Sequence, residues 1–147
     1  MGFHCRLPIA SRGLMSRTAM RIWARRLIDT FDIRIRSERE LVGRLSGGNL
    51  QKLVIARELA HQAPVLIAEQ PTRGVDVGAI EFIHAELIAE RDRGRAILLV
   101  SAELSEILAL SDRILVMYRG TVVAQFRREE ANEALLGAYM MRGRSLS

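Results

Sequence analysis

Two short apolar runs, Val65–Ala68 and Ala96–Val100, limit the fold of this chain more than any other feature. Neither alternates apolar with polar residues, which is the pattern of strands covered on both faces. Between them runs a helical repeat. Asp76 can cap a helix reaching about Arg93, with Ile80, Ile83 and Leu87 as its buried stripe and Gly94 as its stop. His84 shares that stripe and reads as a core or boundary histidine. A strand–helix–strand unit with buried strands predicts an α/β fold with parallel core strands and flanking helices.

The surrounding chain fits the same class. Residues 1–17 look irregular. A helix is predicted from Thr18, because Met20, Trp23, Ala24, Leu27, Ile28 and Phe31 recur at three and four. Residues 32–45 read as a connector. A second helix follows RLSGGN and runs to about His61, with Ser46 as its cap. After Val100, Ser101 can cap a short helix to about Leu110. Arg113–Tyr118 and Thr121–Phe126 form an expected β-hairpin around Arg119-Gly120, and 129–141 a closing helix.

Composition excludes several classes. The 147 residues suit one domain or part of one, and 49% are hydrophobic, enough for a packed core. Lys+Arg total 22 against 17 Asp+Glu, a net charge of +5. Lys52 is the only lysine. The charges are spread along the chain, as on a solvated surface rather than a nucleic-acid face, so no nucleic-acid partner is expected. One cysteine, Cys5, excludes an internal disulfide and fits a reducing compartment. His4, His61 and His84 lack metal-ligand spacing. The longest clean apolar run, Ala96–Val100, is too short to cross a bilayer. The start lacks the apolar stretch of a signal peptide, and Gly2 lacks the Ser or Thr that myristoylation needs, Arg6 standing there. The expected location is cytoplasmic, with membrane contact only through a partner.

Leu45–Asn49, LSGGN, stands immediately before a helix. Glycines let a backbone approach a ligand, and a helix start offers free N–H groups and a positive dipole end. With the Ser46 hydroxyl these make an anion cradle. An ordinary serine-capped helix after a glycine turn fits the pentapeptide equally well.

The order of motifs favours the cradle. After the helix that follows LSGGN comes the strand ending in Glu69-Gln70, then PTRGVD before another helix, then VSAEL after the second strand. This series resembles the ATP-binding cassette family of transporter ATPases, from about Ser11 to about Phe126. LSGGN matches the family's signature, VLIAEQ its Walker B strand, RGVD its D-loop with Asp76 as the acid, and VSAEL its switch region. LSGGN followed by QK, with PTRGVDVGA, is similar to the importer ATPases for sugars and nucleosides. The AEQ variant most resembles their second cassette, particularly in the nucleoside branch. By this resemblance residues 1–62 are part of the helical subdomain with the signature and its helix. Residues 63–128 are the C-terminal half of the ATPase core, and 129–147 a C-terminal helix and tail. The implied fold is a partial P-loop NTPase fold with a C-terminal β-hairpin and no P-loop portion.

The sequence departs from the family in ways that matter chemically. It contains no G-x-x-x-x-G-K-[ST], and Lys52, flanked by Gln51 and Leu53, is not a P-loop lysine. Where the family has Asp for magnesium, Glu69 stands, a weaker Mg2+ position. Where it has the glutamate that polarises water, Gln70 stands, and a carboxamide cannot accept the proton. Loss of a positioned base removes about 10²–10⁴-fold in rate. Ala102 takes the place of the switch histidine. The resemblance therefore implies a degenerate site. The spared signature, Ser46, Gly47, Gly48 and Asn49, together with Asp76, would serve the ATP of a second cassette in trans. Asn49 replaces the commoner glutamine, and Leu50 a polar residue. ATP and Mg2+ are expected only in an assembled complex. That complex would include a partner cassette, transmembrane permease subunits and, indirectly, a periplasmic or lipoprotein solute-binding protein, at the cytoplasmic face of the cell membrane. The isolated chain is expected to be inactive. Two alternatives stand beside this reading. One is a remnant or mis-started reading frame without a role. The other is a DNA-repair type ATPase, which would need coiled coils or zinc modules that the sequence lacks.

Overall fold

The computed structural model describes residues 10–11, 14–61 and 63–142. Gly2, His4, Cys5 and Arg6, with the residues after 142, lie outside them. The chain divides into two compact units. The first comprises described residues up to Leu66 together with Thr72–Ala96; the second comprises Ile67–Pro71 and the chain from Ile97.

The first unit is mainly helical. Where irregular chain is predicted, β1 (Ala10–Ser11) and β2 (Leu14–Met15) make a small antiparallel pair. Helix α1 (Arg17–Thr30) is capped by Ser16, whose hydroxyl accepts from the Ala19 N–H. A 3-10 turn, Val42–Arg44, leads to α2 (Gly47–Leu59), capped by Ser46 as expected. Helix α3 (Val77–Asp92) is capped by Asp76, again as expected, and Gly94 beyond its end takes φ +91°, a left-handed turn glycine allows freely. The core gathers Phe31, Ile33, Ala56 and Leu59, with Leu27, Leu53, Leu66 and Phe82 against them. Phe31 and Phe82 meet edge to face at 6.0 Å. Ile83 and Leu87 are buried as the stripe predicts, and His84 is half-buried.

The second unit carries most of the parallel strands and the C-terminal hairpin. β3 (Val65–Glu69) neighbours β4 (Ala96–Val100). The Ala96 N–H donates to the Pro64 carbonyl (3.0 Å) and the Gln70 N–H to the Val100 carbonyl (2.7 Å), so the strands run parallel. After α4 (Leu104–Leu110), β5 (Arg113–Tyr118) and β6 (Thr121–Arg127) form an antiparallel hairpin around Arg119-Gly120. Helix α5 (Glu133–Arg142) closes on β5, burying Ile114, Val116, Ala131 and Leu136.

Three expectations need correction. First, β3 and β4 are covered on one face only: their residues alternate exposed and half-buried, with Ile67 at 67% and Leu98 at 51% exposure. Apolar composition records that both faces are fit for burial; among the described residues only one layer supplies it. Second, Ser101 does not cap α4. Its hydroxyl accepts from the Glu103 N–H at 3.0 Å, a local serine turn, and Glu103 holds the cap position. Third, the closing helix starts at Glu133, because Arg128–Glu130 form a separate 3-10 turn.

Candidate functional site

In the first unit the structure brings LSGGN and RGVD together. Ser46 is extended (φ −63°, ψ 157°) and turns the chain into α2. Its hydroxyl oxygen accepts from the Asn49 N–H (3.4 Å) and from Asn49 Nδ2 (2.9 Å). The N–H groups of Gly47 and Gly48, the first two of the helix, find no acceptor among the described residues, as expected of a helix start. They and the positive end of the helix are what an anion needs.

The two glycines are also steric requirements. A Cβ on Gly47 would lie 3.1 Å from the Gly74 carbonyl oxygen. One on Gly48 would lie 2.9 Å from Asp76 Oδ2 and 3.3 Å from Ala79 Cβ. The start of α2 thus rests directly on the D-loop and on the start of α3. Asp76 Oδ1 meanwhile accepts from the Ala79 N–H at 2.9 Å, so the carboxylate is held in the position that excludes a side chain at Gly48.

A brace behind this turn escapes sequence reasoning. Asn49 Oδ1 accepts from the Arg34 N–H at 2.7 Å, tying the connector to α2. Lys52 Nζ donates to the Asp32 carbonyl (3.1 Å) and carboxylate (3.3 Å) and lies 4.5 Å from the centre of the Phe82 ring. The solitary lysine is therefore structural. Its uniqueness was the one available hint, but nothing local connects it to Asp32, which takes a left-handed φ of +44°. Further from the signature, Glu90 is buried between Arg93 and Arg95, and Arg95 also donates to the Leu59 carbonyl at 3.1 Å.

In the second unit, Glu69, Gln70 and Ala102 sit where parallel strands end. Glu69 is exposed as the last residue of β3. Gln70 follows it with φ +46°, a left-handed conformation that costs about 1–3 kcal/mol in a non-glycine residue and is held here by its bond to Val100. Ala102 lies two residues past β4 and is exposed. The carboxyl ends of parallel strands are where α/β proteins bind ligands. Glu69 offers one carboxylate there, Gln70 a carboxamide and Ala102 nothing polar. Among the described residues no group of three or more His, Cys, Asp or Glu could hold a metal by itself. Magnesium commonly takes one or two carboxylates plus substrate phosphates, so Glu69 fits only as a single, supplementary ligand.

No family model matches the chain. Curated relatives do. It is 47% identical over 133 residues to the guanosine import ATP-binding protein NupO of Bacillus subtilis, covering 90% of this chain and 26% of that protein. It is 43% identical over 136 residues to the nucleoside import ATP-binding protein NupA of Lactococcus lactis, covering 92% of this chain and 27% of the relative. A bacterial ABC transporter cassette solved as a dimer superposes with a TM-score of 0.67 at 26% identity, covering 80% of this chain and 51% of that one. The chain matches part of an ATP-binding cassette. It spans about a quarter of the length of the curated relatives it matches and about half of the solved cassette. No helix among the described residues is long and apolar enough to cross a membrane.

Proposed function

We propose that this chain belongs to the ATP-binding subunit of an importer for a nucleoside or a simple sugar. Its own hydrolytic positions are degenerate, and its signature serves the ATP of a partner cassette. The observation that carries the reading is the contrast between the two site halves. The turn at Ser46 is intact: Ser46 is braced, the N–H of the exposed Gly47 is open to a phosphate oxygen, and Asp76 is fixed beneath Gly48. The strand ends keep one carboxylate, Glu69, and have lost the base and the histidine at Gln70 and Ala102. The import function of the two nucleoside relatives supports the transported class.

The division of labour follows from the residue chemistry. Ser46 and the Gly47 amide are donors and stabilise phosphate charge without taking a proton. Gln70 can orient water but cannot deprotonate it. Glu69 would assist a magnesium ion held chiefly by the nucleotide. Such a chain works with a second cassette whose bound ATP meets the Ser46 turn and whose own residues supply the base. It would sit at the cytoplasmic face of the membrane against permease subunits, with a solute-binding protein acting through them.

The test is direct. Equilibrium binding of Mg-ATP and phosphate release are measured on the purified chain alone. Neither tight binding nor turnover is expected; only weak contact of the triphosphate with the Ser46 turn is. Micromolar binding with magnesium-dependent turnover, abolished by Ser46→Ala in the same chain, would overturn the reading.

A further inference from the structure

We infer that Asn49 is a positioning residue that aims the Ser46 hydroxyl proton outward, toward the anion. The inference rests on the proposal that Ser46 meets a phosphate. A serine hydroxyl has two lone pairs and one proton. Here both lone pairs face N–H donors of the same residue: the Asn49 backbone N–H at 3.4 Å and Asn49 Nδ2 at 2.9 Å. No acceptor among the described residues takes the hydroxyl proton, which is left to point away from Asn49 into solvent.

The side-chain amide of Asn49 has only one workable orientation. The Arg34 N–H can only donate, and it lies 2.7 Å from the amide oxygen. The oxygen must therefore face Arg34, which forces the NH2 group onto Ser46. Arg34 in turn follows Asp32, whose carbonyl and carboxylate are held by Lys52 one turn further along α2. The connector, Asn49 and Ser46 form a chain of contacts in which each partner fixes the direction of the next. A hydroxyl with its proton fixed outward meets a phosphate oxygen without reorientation, the kind of preorganised donor that favours anion stabilisation.

Asn49→Asp isolates this role. The carboxylate still accepts from the Arg34 N–H and keeps the shape of the residue. It replaces the donor facing Ser46 with an acceptor, so the hydroxyl proton turns inward. The readout is tripolyphosphate binding to the full chain at fixed ionic strength, followed by the amide resonances of Gly47 and Gly48. Four proteins are compared: wild type, Asn49→Asp, Ser46→Gly and the double variant. Glycine is chosen at 46 because it costs little as a helix cap. Asn49→Asp is expected to weaken binding about tenfold or more, the loss of one hydrogen bond to a charged acceptor. In the Ser46→Gly background the same change should cost less than about twofold, since its route runs through the hydroxyl. Unaltered melting and an unaltered Arg34 amide resonance in Asn49→Asp separate this from misfolding. Equal binding by wild type and Asn49→Asp overturns the assignment. So does a loss of the same size in both backgrounds, which would be simple charge repulsion. Absence of saturable binding by wild type overturns the anion-donor reading itself, and the role of Asn49 with it.

Discussion

Replacing Gly48 by alanine tests whether the signature glycines are set by the D-loop beneath them. A Cβ there would sit 2.9 Å from Asp76 Oδ2 and 3.3 Å from Ala79 Cβ, where ordinary contact begins at 3.4 Å. The carboxylate oxygen must withdraw, but its twin accepts from the Ala79 N–H at 2.9 Å and caps α3. Overpacking of this kind costs about 1–3 kcal/mol. Weakening the cap adds up to about 1 kcal/mol. Alanine returns at most about 1 kcal/mol over glycine in a helix. The net expectation is a loss of about 1–3 kcal/mol, or about 2–4 °C in Tm for each kcal/mol. Gly78→Ala is the matched control. It is also a helical glycine, but its Cβ would meet only Asp76 Oδ1, at an ordinary 3.5 Å. It should leave stability unchanged or raise it by up to about 1 kcal/mol. Both variants are compared with the parent chain by urea and thermal unfolding, followed by far-UV circular dichroism. If Gly48→Ala is as stable as the parent, or if both alanines act alike, the close approach of signature and D-loop is not what requires glycine.

Three further outcomes are expected. Arg95→Met leaves Glu90 buried with only the more exposed Arg93 as partner, and should cost about 3–5 kcal/mol in urea unfolding; Glu90→Gln together with Arg95→Met should recover much of it. Ile67→Thr with Leu98→Thr, on the open face of β3 and β4, should reduce self-association in size-exclusion chromatography without lowering stability; increased aggregation would contradict the open face. The Glu38 carboxyl is held below the usual 4.5 by a backbone hydrogen bond and by a hydrogen bond from Arg21. Its folded pKa lies below its unfolded one, so its stabilisation is present above about pH 4.5 and is lost as pH falls through the folded value. Glu38→Gln should accordingly flatten that part of the acid unfolding curve, and an unchanged curve would remove Glu38 from the account.

Much of the local structure was legible. Ser46, Asp76 and Gly94 act where their residue types predict, because caps and left-handed turns depend on a few neighbouring residues. The Arg119-Gly120 turn likewise sits between its two strands. Ser101 misled because the hydroxyl that can cap a helix can also close a turn of its own. The strands misled differently. An apolar run states what a strand tolerates on each face, whereas coverage depends on which other elements arrive.

The sequence by itself determined the alternation of strand and helix, the LSGGN and RGVD motifs before their helices, and the residue types Glu69, Gln70 and Ala102 at the strand ends. These are matters of residue type and spacing along one chain. Tertiary structure alone decided why Gly47 and Gly48 must be glycines, since the atoms that would collide belong to Gly74, Asp76 and Ala79. It also decided that Lys52 braces Asp32 and Phe82, and that Asn49 holds Ser46 on one side and Arg34 on the other. Apart from the Asn49–Ser46 contact, each of these joins a residue of α2 to chain well before or after it. Their physical cause is the packing of α2 against α3 and the connector, which no local pattern records.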